Sequence, residues 1–319
     1  MHSVDDGGPV WPELDYSAWR RTAATVQLWT QIVGKVRLAL TPWLNHGWHV
    51  PLYVNARGFG TGAIHAGRVV LEIDFDFVDH RLAVRTSSGP ARGFALEPMP
   101  VAAFYRRLMA ELDGAGVRVA IGLLPNEVPA PIRFIDDEVH RDYDARAMHA
   151  FWLALVQADR VFRLFRTAFL GKASPVHLFW GAFDLAVTRF SGRPAPLHPG
   201  GIKGLPDEVT REAYSHEVSS VGFWPGSDAY PHAAFYSYAY PQPSGFADAE
   251  IEPAAATWSA VMSEWLLAYD AVRGAADPDA TLLRFLETTY RAAADLGRWD
   301  PALDCALGVP GRPRAVPGR

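Results

Sequence analysis

Apolar residues recur at helical spacing in four long segments of the chain. In the first, Trp19, Ala23, Val26 and Trp29 lie on one face behind an N-capping Ser17, and Thr41-Pro42 ends the pattern. The predicted helices span residues 17–40, 100–112, 144–170 and 279–296.

Alternation of apolar and polar residues predicts strands elsewhere. It is clearest at 68–77, where Leu71, Ile73 and Phe75 face one way, and a tight turn at 79–80 would place Asp74 opposite Arg85. The other predicted strands span residues 48–55, 81–86, 117–121, 176–190, 213–221 and 235–240, while 258–270 fits either a helix or a strand. This mixture predicts an α+β fold, mainly an antiparallel sheet flanked by long helices.

The two halves follow a similar order of elements. Each runs from a long helix through a strand and hairpin strands to a closing helix, and the first strands open with His49 and His177. We interpret this as a diverged internal duplication, with coincidental ordering as the alternative. The predicted division is an N-terminal α+β half (1–130), a C-terminal α+β half carrying the candidate site (131–305) and a disordered tail (306–319).

Composition and charge narrow the class of protein. The net charge of −5 does not favour a nucleic-acid partner, and no apolar run reaches the ~20 residues of a membrane helix. The single cysteine, Cys305, excludes an internal disulfide and indicates a reducing compartment. With no signal peptide expected, the prediction is a cytoplasmic protein. The 11 tryptophans require broad apolar surfaces that are buried or used for stacking.

Several short strings resemble those of an uncharacterised bacterial family of domains of unknown function. The resemblance covers roughly Trp11 to Asp300, and it implies no activity, cofactor or catalytic residue. The strings are Trp11-Pro-Glu-Leu14, Leu38-Ala-Leu-Thr-Pro42, His49-Val-Pro-Leu-Tyr-Val54, Ser174-Pro-Val-His177, Phe183-Asp-Leu-Ala-Val-Thr-Arg-Phe190 and Tyr214-Ser-His-Glu217.

Histidines and carboxylates supply the candidate catalytic groups. His216 shares a predicted strand face with Tyr214 and is a candidate general base, whereas Glu217 faces away from it unless a bulge intervenes. His177 and Asp184 lie on one long predicted strand, on opposite faces. A structural histidine, hydrogen-bonded inside the sheet, is the alternative for His216.

A divalent metal is a second hypothesis for these histidines. His49, His177 and His216 would supply three imidazoles to zinc, iron or copper, although no short ligand pair supports this.

Arginines and aromatic side chains supply candidate ligand contacts. Arg189 or Arg57 would clamp an anionic group or, alternatively, pair with Asp184. The predicted pocket walls are Tyr214, Tyr238, Trp180 and Trp224. The function predicted is a small-molecule enzyme using histidine-based acid–base or metal-assisted chemistry on an anionic or aromatic ligand. The alternative is a non-catalytic binding or sensing protein that uses the same cleft.

Overall fold

A computed structural model describes residues 11–306. Its helices are α1 (Tyr16–Leu40), α2 (Val101–Gly114), α3 (Ala145–Arg166), α4 (Asp207–Ala213), α5 (Tyr269–Arg273) and α6 (Pro278–Leu296). Side-chain caps help to start two of them: Asp144 accepts a hydrogen bond from the Ala147 amide, and Asp277 accepts one from the Ala280 amide. The four helices predicted from apolar spacing are confirmed as α1, α2, α3 and α6.

Two antiparallel sheets account for the strands of the described residues. The first contains β1 (Tyr53–Asn55), β2 (Gly58–Gly60), β3 (Ile64–Ala66), β4 (Val69–Asp76), β5 (Arg81–Thr86) and β6 (Arg92–Ala95), in the order β1-β2-β4-β5-β6 with β3 also pairing with β4. The second contains β7 (His177–Phe179), β8 (Asp184–Pro194), β9 (His216–Trp224), β10 (Ala234–Tyr240), β11 (Thr257–Ser259) and β12 (Glu264–Ala268), in the order β11-β12-β10-β9-β8-β7.

The α+β class with mainly antiparallel sheets is confirmed. The edges of the two sheets meet where the backbone groups of Leu52 and Leu178 exchange both hydrogen bonds, at 2.9 and 2.8 Å. The internal duplication is not confirmed, and the division near residue 130 stays a prediction. Of the predicted tail, residues 307–319 lie outside the described residues.

The hairpin of β4 and β5 forms in a different register from the predicted one. Glu72 pairs with Arg85, and Asp74 pairs with Ala83, because the turn is wider than two residues. Asp76 accepts hydrogen bonds from the amides of Val78 and Asp79 at 2.9 Å and so holds this wider turn. Asp74 and Arg85 are not directly opposite each other, but their side chains still form an ion pair, with 2.5 Å between the carboxylate oxygen and the guanidinium nitrogen.

The strand predicted over 176–190 is a hairpin. It turns between β7 and β8, and Phe183 in that turn has a positive φ of 62°. His177 therefore pairs with Ala186, and Phe179 pairs with Asp184. Paired residues of antiparallel strands point to the same side, so His177 and Asp184 share a face instead of lying on opposite faces.

Four smaller differences concern the bounds or the presence of elements. The strand predicted over 48–55 is shorter, because a 3-10 turn at Asn45–Gly47 precedes it and only Tyr53–Asn55 is extended in the sheet. Residues 117–121 form no strand. Residues 207–213 form α4, which was not predicted because the Gly and Pro residues before it are typical of a loop. The ambiguous segment 258–270 forms the hairpin of β11 and β12 and then enters α5.

Helices cover one face of the second sheet. α3 contacts β8, and α6 contacts β9 and β10. Phe235 of β10 accordingly packs against Phe162 of α3 at 6.3 Å between ring centroids. The opposite face of β8, β9 and β10 is left to line a cavity.

Candidate functional site

A cavity of about 680 Å³ lies over this uncovered face of the second sheet. Lys35 and Leu38 of α1 contribute to its wall, as do the segments 46–50 and 126–127 and the region 205–214, which includes α4. Ligand sites in proteins are typically concave, mostly apolar and of ~300–1,000 Å³. The size and lining of this cavity match that description.

Alternation along three neighbouring strands positions the polar groups of the cavity floor. Asp184 and Thr188 of β8, Ser220 of β9, and Tyr236 and Tyr238 of β10 line it. Intervening residues of the same strands, such as Leu185, Val187 and Phe235, are fully buried on the side of the helices.

Tyr236 reaches from β10 across β9 to donate a hydrogen bond to the carboxylate of Asp184 on β8. Gly222 of β9 makes this crossing possible, because a Cβ at that position would lie 2.2 Å from the phenol ring. Asp184 is only 8% exposed, and burial raises its pKa to about 6, although the hydrogen bond from Tyr236 opposes the increase. Asp184 is thus a buried carboxyl group that titrates close to neutral pH.

Glu127 is a second carboxyl group of the cavity. Its backbone has a positive φ of 54°, and its amide donates to the carbonyl of Gly204 at 3.3 Å. A Cβ at Gly181 would lie 1.9 Å from Oε1 of Glu127, so the carboxyl group fits only against a glycine of the β7–β8 turn. Burial and then repulsion from Asp184 raise the pKa of Glu127 to about 7.

A third carboxyl group and a chain of hydroxyls adjoin these two. Burial and repulsion from Asp184 also raise the pKa of Glu264 on β12 to about 7. Tyr214 donates to the phenol oxygen of Tyr238 at 2.9 Å, and the hydroxyls of Thr188 and Ser220 lie 2.8 Å apart. The cavity floor therefore combines acidic groups with hydroxyls that can both donate and accept.

His177 lines the cavity and is 1% exposed. Neither of its ring nitrogens makes a hydrogen bond with any described residue. Burial lowers its pKa to about 4, and nearby backbone groups of His177 and Ala186 only partly oppose this. His177 is therefore a neutral imidazole at neutral pH, enclosed among the residues that line the cavity.

The other histidines are more dispersed. His49 lines the cavity near its Nδ1 contact with Leu44, at 3.2 Å, whereas His216 does not belong to the lining residues. His216 lies 5.7 Å from the ring of His46, whose Nε2 accepts a hydrogen bond from Lys172 at 2.7 Å. Among the described residues, no group of three or more His, Cys, Asp or Glu side chains is arranged to hold a metal ion, so the structure does not assemble the predicted triad of His49, His177 and His216.

Arg189 and Glu217 point away from the cavity lining. Arg189 is 1% exposed between α3 and α6, with its guanidinium carbon 3.5 Å from the ring centroid of Phe165 and 4.2 Å from that of Tyr290. Glu217 accepts hydrogen bonds from Arg193 at 2.6 Å and from Ser191 at 2.7 Å. In these positions Arg189 packs within the core, and Glu217 forms an ion pair at the sheet surface.

The remaining predicted contacts divide between the cavity and the rest of the surface. Tyr214, Tyr238 and Trp180 line the cavity, and the indole of Trp180 donates to the Val50 carbonyl at 3.0 Å. Arg57 instead forms ion pairs with Asp76 and Asp79 in the first sheet. Trp224 stacks on Tyr230 at 5.6 Å and does not belong to the lining residues.

Sequence reasoning missed two of the groups that define the site. Glu127 lies beside the predicted division near residue 130, and Tyr236 lies in the predicted strand 235–240, of which only Tyr238 is among the predicted pocket walls. The one local signal for Glu127 is a charged residue among apolar and Pro neighbours, which does not indicate burial. For Tyr236, the glycine of the neighbouring strand is visible in the sequence, but the pairing of the two strands is not.

The fold and the cavity define an α+β protein with one face of an antiparallel sheet devoted to a small-molecule-sized pocket. The chain belongs to the family of unknown function DUF5996, whose pattern it matches over residues 11–305. Neither a curated protein nor a solved structure matches it. Among the described residues, no helix has both the length and the apolar character needed to span a membrane.

Proposed function

We propose that this chain is an enzyme that acts on a small organic molecule by general acid–base catalysis in the cavity, with carboxyl groups as the proton-transfer groups. The observation that carries the proposal is the pair formed by Asp184 and Glu127. Both line one aromatic-walled cavity, and their pKa values are raised to about 6 and about 7. Strongly perturbed carboxyl groups in a cleft are typical of catalytic sites.

The two environments assign different roles to the two groups. At neutral pH the lower pKa of Asp184 leaves it mainly ionised, as a general base requires, while a large fraction of Glu127 retains its proton and can act as a general acid. Tyr236 orients the Asp184 carboxylate. The imidazole of His177 is neutral at this pH and adds no positive charge to the cavity.

The non-catalytic alternative, a binding or sensing protein, uses the same cavity. The hydroxyls of Tyr214 and Tyr238 and the nearby pair of Thr188 and Ser220 favour it, because they can bind a polar ligand without reacting with it. The two functions differ only in whether the bound molecule is changed.

The test is to incubate the purified protein with a mixture of cellular metabolites and follow all components by mass spectrometry. The wild-type protein should deplete at least one component and produce another. Asp184→Asn and Glu127→Gln should each reduce this rate by about 100-fold or more, because general acid–base catalysis contributes ~10²–10⁴-fold. Glu217→Gln is the matched control and should retain full activity, because its carboxyl group is paired with Arg193 away from the cavity lining.

Two results would contradict this proposal, the first its catalytic activity and the second the role of Asp184. A component that stabilises the protein against thermal unfolding but remains chemically unchanged would establish the binding alternative. Turnover that is equally fast in Asp184→Asn and in the wild type would remove Asp184 from the reaction.

A further inference from the structure

Two buried acidic groups of the cavity, and a third beside it, have no positively charged partner. Among the described residues, no ion pair involves Asp184, Glu127 or Glu264, and no neighbouring cation lowers the pKa of any of the three. Elsewhere on this chain acidic side chains of β4 and β9 are matched by arginine, as in the pairs Asp74–Arg85 and Glu217–Arg193. Burying carboxyl groups without a counter-charge costs free energy unless a ligand supplies it.

Cations near the cavity are engaged elsewhere. Lys35 donates to the side-chain oxygen of Asn126 at 2.6 Å and lies over the ring of Trp180. Lys172 donates to His46 at 2.7 Å and lies over Trp48, at 5.2 Å from the ring centroid. Neither of them neutralises the buried carboxyl groups.

A neutral imidazole lies beside these carboxyl groups in the cavity lining. The imidazole of His177 is almost completely buried, lines the cavity and leaves both ring nitrogens without a partner among the described residues. Because it is neutral, it does not repel a positive charge. The ring of Phe179 also lines the cavity and suits the apolar body attached to an organic cation, whereas the rings of Trp48 and Trp180 already carry Lys172 and Lys35.

The mouth of the cavity is apolar and exposed. Leu38 is 42% exposed, Trp43 is 68% exposed and Val209 is 45% exposed, and all three belong to the lining. Apolar side chains that continue from a pocket to the surface are typical of a binding groove. These three side chains extend the cavity toward the surface with an apolar wall, which suits an apolar segment of a ligand.

We propose that the ligand is an amphiphilic organic amine, with its ammonium group beside Asp184 and Glu127 and its apolar chain leaving the cavity past Trp43. This inference rests on the proposed function, because it names the class of molecule on which the same site acts.

The charge is tested with three molecules that share a phenethyl group and differ in the polar group: phenethylamine, phenethyl alcohol and phenylpropanoate. Titration calorimetry should show that the amine binds at least about tenfold more tightly than the other two, the equivalent of one charge-assisted hydrogen bond. Repeating the titration near pH 6 in two buffers of different ionisation enthalpy should reveal proton release, because the bound cation favours the ionised form of Asp184, whose pKa is about 6. Asp184→Asn should weaken the amine by about tenfold and leave the alcohol unchanged.

The apolar chain is tested with butylamine and decylamine. Decylamine should bind more tightly, and Trp43→Ser should reduce its affinity by about fivefold or more while leaving butylamine unchanged, since ~0.8 kcal/mol is gained for each buried methylene.

The outcomes separate this inference from the proposed function. If phenylpropanoate or the alcohol binds best, or if no amine binds, the ligand is not an amine, while turnover that depends on Asp184 would still support the enzyme. If amines bind and are released unchanged while every metabolite also stays unchanged, the ligand class holds and the catalytic proposal fails. Equal binding of decylamine to the wild type and to Trp43→Ser would overturn the assigned path of the chain.

Discussion

Replacing Asp184 by Asn should stabilise the folded protein at neutral and alkaline pH. The carboxyl group is 8% exposed, has no cationic partner among the described residues, and has a pKa of about 6 in place of the usual 3.8. The folded state therefore holds a proton between these two values that the unfolded chain has already lost. Between about pH 4 and pH 6 the folded state binds more protons than the unfolded chain. The free energy of unfolding therefore falls as the pH rises through this range, and it stays lower above it.

The magnitude follows from the same shift. A tenfold change in proton affinity corresponds to about 1.4 kcal/mol, so burying the ionised group costs about 3 kcal/mol above pH 6. Asn keeps the size of Asp but accepts a weaker hydrogen bond from Tyr236, which offsets part of the gain by about 1 kcal/mol. The variant should therefore be about 1–3 kcal/mol more stable than the wild type at about pH 8 and should lose this advantage near pH 4.

Urea unfolding of both proteins across this pH range measures the effect. Asp279→Asn is the control of opposite sign, because the hydrogen bond from Arg160 holds the pKa of Asp279 below its usual range, so the variant should lose stability at neutral pH. If the difference in free energy of unfolding between Asp184→Asn and the wild type stays the same from about pH 8 to about pH 4, Asp184 does not titrate as a buried unpaired group.

Three further substitutions test other parts of the structure. Gly222→Ala should displace the Tyr236 ring, because the added Cβ would lie 2.2 Å from it, and should lower the free energy of unfolding by about 1–3 kcal/mol in urea denaturation; unchanged stability would contradict the close approach. Arg189→Met should lower the stability by about 1–3 kcal/mol, since it removes a donor to a backbone carbonyl of α3, but should leave ligand affinity unchanged in calorimetry; a selective loss of affinity would instead make Arg189 a ligand contact. Although burial alone would raise its pKa, hydrogen bonds from Arg57 and two turn amides hold the pKa of Asp76 below its usual range. Asp76→Asn should therefore reduce stability at neutral pH, and the difference should disappear as acid protonates the wild-type carboxylate; a difference independent of pH would contradict this assignment.

The sequence predicted the helices and strands better than it predicted which residues lie next to each other in the fold. Apolar spacing located α1 and α6 to within a residue or two, because an amphipathic helix must carry its apolar residues on one face. The alternation in 235–240 correctly placed Tyr236 and Tyr238 on one side of β10. These properties depend only on residues that are close together in the chain.

Turns caused the main errors. A hairpin register is set by the length of its turn, and the Asp76 carboxylate holds a turn wider than the two residues expected, which moves the pairing of Glu72 and Arg85. The same reasoning failed between His177 and Asp184, where an unrecognised turn reversed the parity of the strand and brought both onto one face. A short turn therefore changed which groups share the site.

The site itself combines segments that lie far apart in the chain. Local pattern is sufficient to form β8 and β10 and to place Thr188 on the same side as Asp184, and Tyr238 on the same side as Tyr236, because side chains of a strand alternate whatever surrounds them. The arrival of Glu127 against Gly181, the crossing of Tyr236 over Gly222 and the stacking of aromatic rings on Arg189 depend on packing between distant elements. Burial and the pKa shifts that follow from it are properties of that packing, so no local sequence pattern contains them.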